Sequence, residues 1–303
     1  MSMRVLRETL AQHQWQIHKL YADGPNDLLL TRPDGKIIPI ASSTPPTTSV
    51  YALHLADDKF ATYSLLQSLD VPQPETVLIH QEDEAKAFLA QHSPIVIKPV
   101  DGAHGRGVTT NITSADQISP AFKKAIAGSA SQKLALAQAQ VQLEADELRV
   151  ICINYQFVIA VARIPAMVAS DGMHTVAELI DLENSTLRAT PYTSNLAFID
   201  RDLALPYLGE RANEIPASGT KVRVSPTCNI GQGGTAEDYS DRISPEVKAT
   251  AEKIARASQL PVIGIDFYGD YVLEINACPS LYYPINTDPT KVVKAYVDYL
   301  ETL

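Results

Sequence analysis

Gly264-Ile265-Asp266-Phe267-Tyr268-Gly269-Asp270-Tyr271-Val272-Leu273-Glu274-Ile275-Asn276 is the stretch from which the rest of the chain is best read. β-Branched and aromatic residues flank a Gly-Asp pair, the pattern of two short strands around a tight turn. A three-residue loop, Tyr268-Gly269-Asp270, sets Phe267 opposite Tyr271 and Asp266 opposite Val272. Side chains alternate along a strand, so Asp266, Val272, Glu274 and Asn276 then share one face. Ile265, Phe267, Tyr271, Leu273 and Ile275 share the other, which can pack on a core. Two carboxylates and an amide oxygen on one side are the hard ligands that Mg²⁺ takes. A two-residue turn puts Asp266 on the opposite face and breaks the set. An amphipathic hairpin with its polar face in solvent fits the same segment.

The bulk composition narrows the classes. A chain of 303 residues holds two or so domains with sizeable cores. It is 45% hydrophobic and 20% charged, ordinary for a soluble globular protein. A net charge of −10 argues against a nucleic-acid partner, while a local basic pocket for a phosphate remains compatible with it. No apolar run approaches the roughly 20 residues that span a bilayer, and the N-terminus has no signal-peptide core, so no membrane partner is expected. Cys152, Cys228 and Cys278 are far apart, odd in number and without a Cys-x-x-Cys pair. Neither a zinc site nor a disulfide framework is suggested, and the setting expected is reducing and cytoplasmic.

Along the chain, Val5 to Leu20 reads as a helix, followed by a strand pair, Leu28–Leu30 and Lys36–Ile40, around Asp34-Gly35. Ser42 to Thr48 reads as a connection. Helices are expected over Asp57–Leu69, Glu82–Gln91, Pro120–Ala130, Thr175–Leu182, Ser244–Gln259 and Pro289–Leu300. Thr76–Ile79 and Ile95–Pro99 read as strands, Arg149–Arg163 as a hairpin around Asn154-Tyr155-Gln156, and 183–220 as loop-rich with short helices. Ser244 caps its helix with Pro245 at the first position, but Val247 denies it a capping box. Strands and helices without a strict βαβ rhythm indicate an α+β fold.

Several residues could carry chemistry. Lys98 ends an apolar strand directly before a Gly-rich loop, Asp101-Gly102-Ala103-His104-Gly105-Arg106-Gly107. A lysine there reaches phosphate oxygens, and glycines let backbone N–H groups approach an anion; a solvated surface turn fits equally. Arg149 and Arg163 bracket an apolar hairpin, so each needs an anionic partner: a ligand, or Glu144, Asp146 or Glu147. Asn229-Ile230-Gly231-Gln232-Gly233-Gly234 is a second Gly-rich loop, after Lys221 and Arg223; it seats an anion or is merely a turn.

Taken in order, these elements resemble the ATP-grasp superfamily and, within it, the ligase portions of cyanophycin synthetase and bifunctional glutathione synthetase. The likeness runs from about Thr48 to Leu300. Its matches include Ala56-Asp57-Asp58-Lys59 with Thr62, Pro94 to Pro99, Arg163-Ile164-Pro165-Ala166 and Asp171-Gly172-Met173-His174-Thr175. Asn229 with Gly233, Gly234 and Asp238, then Gly264-Ile265-Asp266 and Glu274-Ile275-Asn276-Ala277, complete them. The resemblance implies an ATP-grasp fold with a short N-terminal subdomain (1–50), a small lid subdomain (51–142) and a C-terminal antiparallel-sheet subdomain (143–303).

It also implies roles. Lys59 and Lys98 contact ATP phosphates, with His104, Gly105, Arg106 and Gly107 in the loop folding over them. Glu147 holds the ribose hydroxyls. Gln140 stands where the family usually has a glutamate facing the adenine amino group, and its amide oxygen can accept the same bond. Asp266, Glu274 and Asn276 are the metal ligands, Glu274 bridging two Mg²⁺ ions, with Mn²⁺ as a substitute. Arg149, Arg163, Asn229, Gly233 and Gly234 form the catalytic set around an acylphosphate. Ala145 replaces a usual glycine, and Ser225 stands where relatives often carry an arginine. The implied activity is an ATP-dependent carboxylate–amine ligase acting on an amino acid or small peptide, as a homodimer. The further domains of the larger synthetases do not fit into 303 residues, so a stand-alone ligase is expected. A ligase modifying a ribosomally made peptide is one alternative. A regulatory Mg-ATP-binding pseudoenzyme, motivated by Gln140 and Ser225, is another.

Overall fold

A computed structural model describes residues 2–22, 26–102, 106–130, 134–141, 147–189, 198–225, 228, 233–283, 288 and 290–303. Its centre is a five-stranded, fully antiparallel sheet in the order Thr235–Asp238, Gln156–Ile164, Glu147–Ile153, Val262–Tyr268, Tyr271–Asn276. The expected hairpin around Asn154 forms because Asn154 and Tyr155 both adopt left-handed backbone, φ 51° and 62°, as a primed two-residue turn requires. Alternation then sorts the strands into two apolar faces. Val150, Cys152, Ala160, Ala162, Ile263, Ile265 and Phe267 pack under the Pro245–Ala257 helix. Burying Phe267 alone is worth about 1.5–3 kcal/mol. Ile151, Ile153, Ile159, Val161 and Val262 pack under the Lys291–Thr302 helix and the N-terminal segment. The polar ends of the strands project beyond that second cover, and the site lies there.

The N-terminal segment departs from the reading as one helix to Leu20. The helix spans Ser2–Gln12, Gln14 turns left-handed (φ 61°), and Gln16–Lys19 is a strand paired with Asp27–Thr31, itself paired with Ile37–Ala41. Trp15 is buried, and pairing with the Leu28–Leu30 strand outweighs helical propensity over Gln16–Lys19. A helix that the sequence reading passed over, Val50–Asp57, starts on Ser49, whose Oγ accepts from the Ala52 amide at 3.1 Å. Asp58 caps the expected helix, now Lys59–Ser68.

A separate four-stranded antiparallel sheet has the order Thr76–Ile79, Ala135–Ala139, Ile95–Pro99, Thr109–Ile112. Helices Glu82–His92 and Ile118–Gly128 cover it through Phe88, Leu89, Ile118, Ala121 and Ala125. Ala52, Leu66 and Val71 instead join the core of the five-stranded sheet. Packing on the five-stranded sheet therefore extends through Val71. A fourth core, also unexpected, gathers Val168, Val176, Ile180, Ile199, Ala204, Leu208 and Val222 between Met167–Ala169, Lys221–Arg223 and two helices, Val176–Ala189 and Arg201–Leu208. Among the described residues no helix is long and apolar enough to cross a membrane.

Candidate active site

The hairpin that opened the reading closes differently from its expectation. Tyr268 pairs with Tyr271 and Phe267 with Val272, so the turn is the two residues Gly269-Asp270, not three. Such a turn by itself would send Asp266 away from Glu274. A β-bulge at Leu273 adds one residue and resets the alternation: Asp266 faces Glu274, Ile265 faces Ile275 and Gly264 faces Asn276. The carboxylate pair survives by this route, while Val272 moves to the apolar face opposite Phe267 and Tyr271 to the polar one beside Tyr268.

The same register carries the set across the sheet. Arg149 stands opposite Asp266, and Glu147 opposite Arg163. Arg149 donates from Nε and Nη2 to the two oxygens of Asp266, the second bond at 2.9 Å. Arg163 donates from Nη2 to Asp266 Oδ2 at 3.0 Å and also to Glu147. Of the acidic partners weighed for the arginines, Glu147 is engaged, whereas Glu144 and Asp146 lie outside the described residues. Burial opposes the Asp266 charge, yet the adjacent Arg149 and Arg163 guanidiniums prevail and hold its carboxyl below the ordinary value. Arg149, also opposed by burial, is raised mainly by Asp266. Its side chain crosses Gly264, where a Cβ would stand 3.1 Å from Arg149 Cδ, so the glycine makes room for the guanidinium.

Lys98 approaches from the four-stranded sheet and Lys59 from the first turn of the Lys59–Ser68 helix. Lys59 Nζ donates to the Gly102 carbonyl at 2.7 Å and lies 3.4 Å from Glu274 Oε1. Lys98 Nζ donates to Gln138 Oε1 at 2.8 Å, and Gln138 Nε2 donates to Thr76 Oγ1 at 2.8 Å. Burial, reinforced by Lys59 and opposed by Glu274, lowers the Lys98 ammonium to about 8. Lys59, Thr62, Lys98, Gln138 and Leu273 line one narrow cleft. Gln140 does not present a free amide: its Oε1 accepts from the Asn111 amide at 2.7 Å and its Nε2 donates to Asn111 Oδ1 at 2.6 Å. Only the second lone pair of that oxygen is left for an adenine amino group.

Arg106 is exposed, and Gly107 packs on Gly128 of the Ile118–Gly128 helix. His104 and Gly105, and Asn229 of the second loop, lie outside the described residues. Gly233 has φ 93°, and a Cβ there would stand 2.9 Å from Ile199 Cα, so both conformation and space demand glycine. Gly234 is buried, and Thr235 pairs with Ile164, which places the loop end beside the strand bearing Arg163. The Asp171–Thr175 motif is structural. Asp171 Oδ1 accepts from the Met173 and His174 amides, and Thr175 shares a reciprocal cap with Glu178.

Asp266, Glu274 and Asn276 offer an all-oxygen donor set on adjacent strands, and the buried Asn276 Nδ2 has no hydrogen-bond partner. That chemistry fits Mg²⁺. Among the described residues no group of three His, Cys, Asp or Glu side chains converges as a metal site, so an ion here depends on the Asn276 amide and on phosphate oxygens. The sequence reading missed three neighbours. Tyr283 is buried beside Arg149, its phenol raised by burial above all. Gln138 holds Lys98. The Cys228 thiol, against Glu147, is pushed up to about 12 by burial and that carboxylate. Only strand register or loop return brings them in, which no local pattern announces.

Residues 61–178 match the family described as prokaryotic glutathione synthetase, ATP-grasp domain. The chain is 32% identical over 251 residues to cyanophycin synthetase of Crocosphaera subtropica, across 77% of this chain and 28% of the relative. It is 28% identical over 244 residues to the glutathione biosynthesis bifunctional protein of Streptococcus agalactiae, across 78% of this chain and 30% of the relative. The chain thus spans under a third of the length of these curated relatives. In fold it is similar to a bifunctional glutathione synthetase from Pasteurella multocida, with a TM-score of 0.68 at 20% identity over 100% of this chain and 44% of that one.

Proposed function

From the premise that this chain belongs to the ATP-grasp superfamily, we propose that it is an ATP-dependent carboxylate–amine ligase. ATP phosphorylates a substrate carboxylate, an amine displaces phosphate from the acylphosphate, and the products are an amide, ADP and phosphate. The observation that carries the reading is the row Arg149–Asp266–Glu274 across three strands, with Lys59 from the start of its helix and Lys98 from the other sheet near its Glu274 end.

In this reading Lys59 and Lys98 bind the phosphates, and Arg149 and Arg163 hold negative charge as it develops on the transferring group. Asp266, Glu274 and Asn276 would hold Mg²⁺, which would supply charge stabilisation to the transferring phosphoryl group. The loop after Lys98 excludes water that would hydrolyse the acylphosphate. Chemistry of this kind needs no protein nucleophile. The substrates are amino acids or small peptides, the setting is cytoplasmic and the assembly a homodimer.

A screen of amino acids and dipeptides for Mg²⁺-dependent ADP formation, with product masses, tests the proposal. An amide product lighter than its parts by one water is the expected result. Tight Mg-ATP binding with no turnover on any carboxylate would instead mark a regulatory nucleotide binder.

A further inference from the structure

We propose that the nucleotide site takes a 6-oxopurine nucleotide about as well as an adenine one, because the Gln140 amide, pinned by Asn111, offers the base both a donor and an acceptor. The inference rests on the proposed function, which puts the base at Gln140, and it names the nucleotide class that site accepts. Gln140 lies on the cleft face of the four-stranded sheet by alternation. Ala135, Ala137 and Ala139 pack with the covering helices, while Gln138 lines the cleft. The four strands of that sheet, Thr76–Ile79, Ile95–Pro99, Thr109–Ile112 and Ala135–Ala139, contain no Asp or Glu. A carboxylate only accepts hydrogen bonds, so it suits the exocyclic amino group of adenine and repels the carbonyl oxygen of a 6-oxopurine. No strand of the sheet supplies that filter.

Asn111 fixes how the amide is turned. Asn111 sits in its strand with left-handed backbone, φ 56°, and the register beside Ile95–Pro99 skips it, pairing Ile112 with Ile95 and Thr109 with Ile97. Its N–H turns instead to Gln140 Oε1 at 2.7 Å. A backbone N–H faces only an acceptor, so the oxygen is identified, and Nε2 donates to Asn111 Oδ1 at 2.6 Å. Turning the amide over would set donor against donor and acceptor against acceptor. The Gln140 backbone is anchored as well, its N–H donating to the Pro94 carbonyl at 3.0 Å. Beyond the Asn111 pair, the side chain keeps a lone pair on Oε1 and a hydrogen on Nε2. The lone pair suits the amino group of adenine, and the hydrogen suits the oxygen of hypoxanthine or guanine. Gln138, the other amide on this face, is tied at both ends, to Lys98 and to Thr76, and adds no acceptor-only group.

The test reads binding rather than turnover. Titration calorimetry gives the Kd of ADP and of IDP for the full chain in the presence of Mg²⁺. The two should agree within about tenfold, the most that one neutral hydrogen bond is worth. Gln140→Glu should keep ADP binding and weaken IDP by at least about tenfold, because the carboxylate has no hydrogen to offer the 6-oxo group. Asn111 can turn its Nδ2 to the new oxygen, so the strand stays anchored. If that variant does not fold, the wild-type comparison decides. A wild-type preference for ADP beyond about tenfold overturns the inference and leaves the ligase reading standing. Parity that survives Gln140→Glu overturns it too, since another group then reads the base. Binding of neither nucleotide overturns the inference and the ligase reading together.

Discussion

Arg149 reaches Asp266 across adjacent strands with two parallel bonds, Nη2 to Oδ2 at 2.9 Å and Nε to Oδ1. Arg163 shares Oδ2 at 3.0 Å, so one carboxylate neutralises parts of two guanidiniums within a buried row. Asp266→Asn leaves both without that charge and should destabilise the protein by about 3–5 kcal/mol, the range for breaking a buried pair. Urea denaturation checks it, with the midpoint falling at constant slope.

Glu274→Ala should abolish ATP-dependent product formation while stability stays within about 1 kcal/mol of wild type. Glu274 is partly exposed, and its 3.4 Å contact with Lys59 is a weak pair. Steady-state ADP release alongside thermal denaturation separates the two effects. Wild-type turnover in this variant would remove the metal assignment.

Lys98, lowered to about 8 by burial, is cationic below that pH and neutral above it in the free protein. ADP binds the cation, so its affinity should be flat below pH 8 and fall up to tenfold per unit above it. Stability moves the other way. The unfolded chain keeps this proton to about 10.4, binds more protons than the folded state between the two values, and so loses ground as pH rises. Titration calorimetry and melting curves from pH 7 to 9.5 read both trends. Lys98→Arg, which stays charged, should flatten the first.

Gly128→Ala puts a Cβ 2.9 Å from Gly107 Cα and 3.1 Å from its amide nitrogen, contacts made by backbone that cannot rotate away. The loop after Lys98 must shift, and the KM for ATP should rise several-fold with kcat changed less. Initial rates against ATP concentration check it.

Gly233→Ala meets Ile199 Cα at 2.9 Å and must hold φ 93°, a conformation costing an L-residue about 1–3 kcal/mol. Its melting temperature should drop by several degrees, with the fourth core loosened first because Ile199 belongs to it.

Much of the fold was legible because it rests on local pattern. The Asn154 hairpin, the Ser244 cap and the strand ending in Lys98 all carry their own turn or cap chemistry. Gln16–Lys19 was not, since its pairing with Asp27–Thr31 is tertiary. Ala135–Ala139, unassigned in the sequence reading, is a strand because neighbours on both sides pair with it. At the site, the conjunction of Asp266, Glu274 and Asn276 was readable, but its cause was not. The bulge at Leu273 that restores the face depends on pairing register, which side-chain alternation alone does not reveal. Tyr283 and Gln138 were invisible for the same reason: each reaches its partner from a distant segment.

The central claim is that a carboxylate oxygen is phosphorylated before the amide forms. Protein, Mg-ATP and a mixture of amino acids bearing ¹⁸O in their carboxyl groups would be incubated, and the released phosphate analysed by mass. The account predicts ADP and phosphate carrying one ¹⁸O per amide formed. AMP with pyrophosphate, or phosphate without the label, would contradict it.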